Sequence, residues 1–241
     1  MNATPTLQSS ARPVRGLDQE EIAAMHRLMT AHYDAVPFAR FEEDLTKKDE
    51  VLLLRDDGGH LRGFTTLAWN PAGPQPEGDV LFSGDTIIDR ACWGTQELVK
   101  AFCRRAGEWR REHDRPLYWM LISKGYRTFL YLPLFARRFH PHPEREEPAW
   151  REIATRTAAA MFGPAWQADL GVIRFPQSHG HLRQEIAGAD EKTRRNPMVR
   201  FFLERNPGHS HGEELVCLTE MSEQNLKRGA LAAFRSGLAV P

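Results

Sequence analysis

The sequence predicts an α/β (α+β) fold in which helices flank a central sheet and extra helices follow toward the C-terminus. Two observations carry this prediction. Residues 79–133 have the pattern of a strand, a tight loop, a long helix, a second strand and a helix in one continuous run. Residues 51–55 and 61–69 have the pattern of a β-hairpin, because two apolar segments are joined by the turn sequence DDGG.

The elements before the hairpin are predicted from local signals. Residues 1–11 are expected to form a disordered lead, and residues 12–17 a short edge strand. Asp18 and Glu21 have the spacing of a capping box, which predicts the start of a helix. The apolar positions of that helix are Ile22, Met25, Leu28 and Met29. A second, shorter helix is expected at 38–48.

The C-terminal part, residues 149–241, is expected to complete the sheet of a core formed by residues 12–148. Its apolar strands, predicted at 171–175 and 214–220, need a sheet to cover them. An insertion at 179–212 separates the two strands. The predicted helices of this part are 149–162, 191–204 and 222–234.

Composition indicates an ordinary globular protein. A chain of 241 residues is long enough to bury roughly 70 to 75% of its unfolded surface. Lys plus Arg equal Asp plus Glu at 32 each, so nothing in the net charge favours a nucleic acid partner. The three cysteines form no CxxC pair, which favours a reducing compartment. Without a signal-peptide core or an apolar run near ~20 residues, we expect a cytoplasmic protein and no membrane partner.

Three H-x-H pairs have the spacing at which alternate strand residues share a face and could bind zinc. All three lie in loop-like sequence, with no acidic or cysteine partner at ligand spacing. We therefore expect no metal. The pairs are His140 with His142, His179 with His181, and His209 with His211.

The strand predicted at 80–88 is interrupted by Ser83, Gly84 and Asp85. A glycine inside a strand indicates a bulge or a close backbone approach. The chain then turns through residues 89–95 into a long helix. Free backbone N–H groups and the helix dipole make such an N-terminus a favourable site for phosphate oxygens.

This segment resembles the core of the GNAT (GCN5-related N-acetyltransferase) superfamily. There, a bulged strand, a pyrophosphate-binding loop and a helix are followed by a second strand and helix, and together they hold acyl-CoA. The family loop has Arg or Gln, two residues, Gly, one residue, then Gly or Ala. Gly94 matches its first glycine, whereas Ala91 and Gln96 depart from it. A tyrosine about seven residues beyond the second strand matches Tyr131. The resemblance implies a divergent member with a mixed, mostly antiparallel sheet and a C-terminal extension.

The resemblance also implies a reaction, the direct transfer of an acyl group from acetyl-CoA or another acyl-CoA to an amine of a small molecule. The thioester would lie where the strands ending at Ile88 and Ser123 diverge, with its phosphates on the backbone of residues 93–96. Asp85 would accept the amine proton, and Tyr131 would protonate the departing thiolate. The residues expected to bind the cofactor are Ile87, Ile88, Cys92, Trp93, Gly94, Thr95, Gln96 and Ser123.

Several alternatives stay open. Asp85 is either the proton acceptor or a structural residue. Tyr131 is either the proton donor or an aromatic residue of the core. Cys92 is either a nucleophile at a helix N-terminus or a small buried residue. The aromatic residues Trp69, Phe82, Trp119 and Phe129 allow for an apolar acyl tunnel.

The class of protein also has alternatives. One is a non-catalytic protein of the same fold that binds an acyl thioester or an acyl carrier protein as a sensor or partner. Another is an enzyme that takes its acyl group from acyl carrier protein, docked on the arginines of the long helix. The alternative is that those arginines form salt bridges with Glu108 and Glu112 on the same helix. A homodimer is left open. The arginines are Arg104, Arg105, Arg110 and Arg111.

Overall fold

A computed structural model of the chain describes residues 6–177 and 179–239. These residues form ten strands and ten helices. The strands are β1 (Leu7–Pro13), β2 (Tyr33–Asp34), β3 (Glu50–Asp56), β4 (Leu61–Trp69), β5 (Asp79–Ile88), β6 (Leu117–Ser123), β7 (Trp166–Gln167), β8 (Val172–Ile173), β9 (His181–Leu182) and β10 (Glu214–Glu220). The helices are α1 (Gln19–Thr30), α2 (Phe38–Leu45), α3 (Glu97–Glu112), α4 (Tyr126–Phe129), α5 (Tyr131–Phe135), α6 (Pro148–Phe162), α7 (Gln184–Ala187), α8 (Glu191–Arg194), α9 (Pro197–Arg205) and α10 (Arg228–Leu238).

Eight strands form one sheet in the order β1-β3-β4-β5-β6-β10-β8-β7. Neighbouring strands are antiparallel except β5 and β6, which run parallel. The predicted fold class, a mixed and mostly antiparallel sheet flanked by helices, is confirmed. β10, from the C-terminal part, lies directly beside β6. The remaining strands, β2 and β9, form a separate two-stranded sheet.

The N-terminal prediction is wrong for residues 7–11. They belong to β1, which pairs with β3 from Leu7 opposite Asp56 to Pro13 opposite Glu50. Residues 1–5 of the predicted disordered lead lie outside the described residues. The strand expected at 12–17 therefore begins five residues earlier and ends at Pro13, because Val14–Gly16 form a short 3-10 helix. β1 is a largely polar edge strand held by backbone hydrogen bonds to β3, so it lacks the apolar pattern on which the prediction relied.

Helices cover both faces of the sheet. Alternate residues of β5 point to opposite sides, so Leu81 packs in the cluster that contains α3 and α10, whereas Val80 and Phe82 pack against α6. A third cluster joins α1 and α2 to β3, β4 and the end of β5. The chain thus forms three layers, with the sheet in the middle.

Local signals set the helix boundaries. The predicted capping box is present, since the amide of Glu21 donates to Asp18 Oδ1 at 2.8 Å and the amide of Asp18 donates to Glu21 Oε2 at 3.3 Å. The helix expected at 191–204 is divided into α8 and α9 at Pro197, which lacks an N–H and starts α9 with Asn196 as its cap. The last helix begins at Arg228, later than the predicted residue 222.

The bulge predicted at Gly84 is confirmed and shapes the middle of the sheet. Between Thr65 and Leu67 the register with β5 shifts, so that Gly84 and Asp85 together oppose Thr66. Pairing with β6 ends at Ser83, although β5 continues to Ile88. The parallel strands therefore diverge after the bulge, and the second half of β5 lacks a partner on the β6 side.

Two glycines bring α3 and α10 into close contact. A Cβ atom at Gly107 of α3 would overlap the carbonyl oxygen of Phe234, and one at Gly237 of α10 would overlap the carbonyl oxygen of Arg104. The backbones of the two helices therefore pack directly on each other. This contact covers the outer side of the core cluster that contains Phe102 and Phe234.

Replacing Gly107 with alanine should destabilise the fold by about 1–3 kcal/mol, the usual cost of forcing extra volume into a packed contact. Urea unfolding measures the difference. Gly229→Ala in α10 is the matched control, because no atom lies within 4 Å of its added Cβ, and it should be neutral or slightly stabilising. Equal stability of both variants would contradict the close packing of the two helices.

Candidate active site

Two cavities open where β5 and β6 diverge. One, of about 450 Å³, contains most of the charged side chains of the region, and we call it the charged pocket. The other, of about 480 Å³, is lined mainly by apolar side chains, and we call it the apolar cleft. Tyr33, Thr86 and Thr128 line both cavities, so the two meet at these side chains.

Two carboxylates and two lysines surround the inner part of the charged pocket. Asp85 comes from the bulge, and Glu214, which is only 5% exposed, is the first residue of β10. Lys124 follows β6; its Nζ lies 3.4 Å from Glu214 Oε1 and donates to the carbonyl of His179 at 3.2 Å. Lys48 approaches from the chain before β3, with Nζ 5.4 Å from the ring centre of Phe82.

Burial controls the electrostatics of this pocket. It raises the pKa of Asp85, an effect that the charges of Lys48 and Lys124 oppose. It also raises the pKa of Glu214, again against the influence of Lys124. The pKa of Tyr33 is raised first by burial and then by the charges of Asp85 and Glu214. A carboxylate with a raised pKa binds a proton at a pH closer to neutral, as a general base requires.

The apolar cleft runs between β5, the loop before α3 and the helices α4 and α5. Tyr131 lines it, and burial raises the pKa of that tyrosine, which keeps the hydroxyl protonated. No residue in the described part of the chain forms a hydrogen bond with this hydroxyl. The hydroxyl can therefore donate a hydrogen bond to a ligand in the cleft.

The loop before α3 closes one end of the cleft. Gly94 has φ of +93°, a conformation that other residues rarely adopt, and open space surrounds it. Among residues 6–177 and 179–239, no acceptor is hydrogen-bonded to the amides of Gly94 and Gln96. Trp93 is 44% exposed, and the guanidinium of Arg127 lies 4.9 Å from its ring centre. Free amides and a nearby guanidinium form a suitable environment for phosphate oxygens.

Most of the residues expected to bind the cofactor line the apolar cleft. Two do not. Cys92 is 2% exposed in the turn before the loop, and burial raises the pKa of its thiol, which disfavours the nucleophilic thiolate. Ser123 is fully buried at the end of β6 and lines neither cavity. The six expected residues that line the cleft are Ile87, Ile88, Trp93, Gly94, Thr95 and Gln96.

Sequence reasoning missed Tyr33, Lys48, Lys124 and Glu214 as site residues. Only Glu214 carried a usable signal, because it is a carboxylate at the start of an otherwise apolar strand. The others come from segments without a motif and meet only in the folded chain.

The insertion at 179–212 forms a wall of both cavities. Its strand β9 pairs with β2, and the amide of Arg183 donates to the carbonyl of His32 at 3.0 Å. This pairing places Leu182 beside the apolar cleft and His179 beside the charged pocket. Burial, then the charge of Arg40, lower the pKa of His179, which favours its neutral form.

The predicted acyl tunnel is largely filled by packing. Trp69 stacks on Trp109 with ring centres 4.0 Å apart, and Phe129 is fully buried. Trp119 is buried and donates through Nε1 to Ser83 Oγ at 2.8 Å. Beneath the cleft, where Ser83 and Tyr131 are among the lining residues, lies a cavity of about 30 Å³.

Three of the four arginines on α3 bond within the chain. Arg105 binds Glu50 through two hydrogen bonds of 2.7 and 2.8 Å, and Arg111 donates to the carbonyls of Gly237 and Ala239. Arg110 donates to the carbonyl of His113. These contacts reduce the number of arginines that a carrier protein could bind.

In residues 6–177 and 179–239, no group of three or more His, Cys, Asp and Glu side chains is arranged to hold a metal ion. None of the helices described there combines the length and the apolar character that crossing a membrane requires.

No protein-family model matches the sequence, and no curated protein does. Solved structures similar to the chain include N-acyltransferases and N-acetyltransferases, one of them of the GNAT family. A probable N-acyltransferase from Enterococcus faecalis V583 is 12% identical at a TM-score of 0.40, covering 55% of this chain. The match spans only 33% of the length of that protein.

Two further similar structures are bacterial enzymes from Pseudomonas aeruginosa and Escherichia coli. An acyl-CoA N-acyltransferase from Pseudomonas aeruginosa is 18% identical at a TM-score of 0.40, over 54% of this chain and 88% of its own. A GNAT-family N-acetyltransferase from Escherichia coli, solved in complex with CoA, is 14% identical at a TM-score of 0.37. That match covers 56% of this chain and 72% of the Escherichia coli protein.

The raised pKa of Glu214 predicts a pH-dependent effect on stability. Above the ordinary glutamate pKa of about 4.3, the folded protein holds a proton here that the unfolded chain has lost, so ionisation favours unfolding. Wild type should therefore lose stability relative to Glu214→Gln as the pH rises from about 4.5 to 8. Urea unfolding at several pH values measures this. Exposed Glu204→Gln is the control, and its stability relative to wild type should not change with pH. The assignment would be contradicted if wild type and Glu214→Gln differed by the same amount at every pH, or if wild type gained stability relative to the variant as the pH rises.

Proposed function

We propose that this protein is an N-acyltransferase that moves an acyl group from acyl-CoA to the amine of a small molecule by direct transfer. One observation carries the proposal. The apolar cleft, which suits a thioester, meets the charged pocket, which suits an amine, at Tyr33, Thr86 and Thr128 beside the β5 bulge. Such an arrangement brings two substrates together without a covalent enzyme intermediate.

The donor is assigned to the apolar cleft. Its phosphates would bind the amides of Gly94 and Gln96, with Arg127 nearby, while the pantetheine arm follows the apolar wall along Ile87 and Ile88. The cavity of about 30 Å³ beneath the cleft has room for a group of acetyl size. Its small volume favours a short acyl chain.

The chemistry needs one base and one acid. The amine nitrogen attacks the thioester carbonyl carbon, and its proton passes to Asp85, directly or through water. The carbon–sulfur bond breaks, and Tyr131 donates its proton to the leaving thiolate and recovers one from solvent. The unpaired stretch of β5 at Gly84 and Asp85 offers backbone N–H groups to the developing oxyanion.

The surroundings of Cys92 and of the arginines on α3 bear on the alternative reaction route and the alternative donor. Buried Cys92 does not favour a covalent acyl-cysteine route. The internal bonds of Arg105, Arg110 and Arg111 favour CoA over a carrier protein as the donor. A non-catalytic protein that binds an acyl thioester is the remaining alternative, and it is distinguished by binding without turnover.

Gly94→Val should abolish binding of CoA. Valine does not tolerate the φ of +93°, so the loop must change shape and withdraw the amides of Gly94 and Gln96. Isothermal titration with acetyl-CoA measures the loss. Gly73→Val is the matched control, since Gly73 also has a positive φ of +78° and open surroundings but lies away from the cleft. Unchanged acetyl-CoA affinity in the Gly94 variant would show that the phosphate site is elsewhere.

Asp85→Asn and Tyr131→Phe should each lower turnover roughly 100 to 10,000-fold while acetyl-CoA binding is retained, because each removes a proton-transfer group and keeps the size of the side chain. The Asn variant should partly recover at high pH, where the free amine is already neutral. Steady-state rates with an accepted amine test both.

Tyr118→Phe, on β6 and outside both cavities, is the control for the tyrosine variant. Near-normal turnover of both Asp85→Asn and Tyr131→Phe would reject the assigned roles. Acetyl-CoA binding by wild type without acylation of any amine would favour the non-catalytic alternative.

A further inference from the structure

The charged pocket contains a cation without an acidic partner. Lys48 is half-buried and lines the pocket, and in the described part of the chain it has no carboxylate within 4.0 Å. Its Nζ donates to the backbone carbonyl of Asp44 at 3.3 Å and lies over the ring of Phe82. A partly buried ammonium with one backbone acceptor retains the capacity to bind an anion.

The other basic side chains of the pocket have partners. Lys47 lies 2.9 Å from Glu43 Oε1 and 3.2 Å from Asp44 Oδ1. Arg40 contacts the same two acids and His179. Lys124 is paired with Glu214. Lys48 is therefore the cation of this pocket, among the residues described, that a ligand can bind without breaking an ion pair.

Among the described acidic residues that line the pocket, Asp85 likewise has no ionic partner. Within the described residues, it forms no ion pair, and its carboxylate accepts no hydrogen bond from another residue. Lys48 and Lys124 both act on its charge through space. The pocket thus presents one unpaired carboxylate and one unpaired ammonium that do not bind each other directly.

An apolar wall completes the pocket. Phe82, Phe162 and Phe175 form a chain of edge-to-face contacts with ring centres 6.2 and 6.3 Å apart, and Met161 and Ile122 line the same cavity. Such a wall can hold an apolar side chain of a ligand.

We propose that the charged pocket binds zwitterionic amino acids with an apolar side chain: the ligand amine at Asp85, its carboxylate at Lys48, and its side chain against Phe82, Phe162 and Phe175. Because it identifies the acceptor substrate of the proposed reaction, this inference rests on the proposed N-acyltransferase function. It narrows the substrate from amines in general to those that carry an anionic group. The ligand amine then contacts Asp85, the residue that is proposed to accept its proton.

The test is equilibrium binding, which needs neither a thioester nor turnover. Isothermal titration compares L-phenylalanine, L-methionine and L-leucine with phenethylamine, which lacks the carboxylate, and 3-phenylpropionate, which lacks the amine. At least one of the amino acids should bind. Phenylalanine should bind at least tenfold more tightly than either truncated compound.

Two variants assign the contacts. Lys48→Met should abolish the preference for phenylalanine over phenethylamine, and Asp85→Asn should abolish the preference over 3-phenylpropionate. Lys47→Met is the matched control and should leave both preferences intact, because the ammonium of Lys47 is already paired with Glu43 and Asp44.

The outcomes separate this inference from the proposed function. If none of the three amino acids binds, or if phenethylamine binds as tightly as phenylalanine, the inference is wrong, whether or not the protein binds acetyl-CoA. If the preferences hold but the protein neither binds acetyl-CoA nor acylates phenylalanine, the proposed function is wrong and the ligand class of the pocket stands.

Discussion

The bulge in β5 is the constraint on which the functional region depends. One extra residue between Ser83 and Thr86 ends the pairing with β6, and the parallel strands separate where an ordinary sheet would continue. Both cavities lie at this separation. The space at the bulge is small, because a Cβ atom at position 84 would lie 2.6 Å from Thr66 Oγ1 and 2.8 Å from Lys48 Cε. A side chain at this position would therefore displace groups on two neighbouring elements.

Where β5 and β6 diverge, charged and polar groups lie in the middle of the sheet. Other parts of the structure must balance their charges. Glu214 has Lys124 as its partner, and the short sheet of β2 and β9 holds the insertion over the opening. Asp85 and Lys48 stay without an ionic partner among the described residues. An unpaired, partly buried charge costs free energy, which a ligand of complementary charge would recover on binding.

The rest of the fold keeps this region in place. α6 covers one face of the central strands, while α3 and α10 cover the other through a glycine contact that allows their backbones to touch. Trp109 donates to buried Asp79 at the start of β5 at 2.9 Å, and Trp109 also stacks on Trp69 of β4. Trp109 of α3 thus links the beginning of β5 to β4. The bulge and the segment beyond it therefore lie at defined positions.

The sequence by itself determined the fold class, the hairpin of β3 and β4, the capping box of α1 and the bulge at Gly84. All of these depend on residues close together in the chain, through turn chemistry, hydrogen bonding over three residues or the conformational freedom of glycine. The position of residues 93–96 in a loop between β5 and α3 was also predictable, because a strand followed by a helix N-terminus is a local pattern.

Tertiary structure alone decided the rest. Tyr33, Lys48, Lys124 and Glu214 meet in space from four separate segments, and no local pattern relates them. β1 is stabilised by backbone bonds to β3, not by an apolar period, so its sequence gave no strand signal before residue 12. Whether Cys92 faces a ligand or the core depends on the direction of its turn in the folded chain, and packing directs it inward. Positions set by pairing over long sequence separations were therefore beyond sequence reasoning, whereas positions set by neighbouring residues were within it.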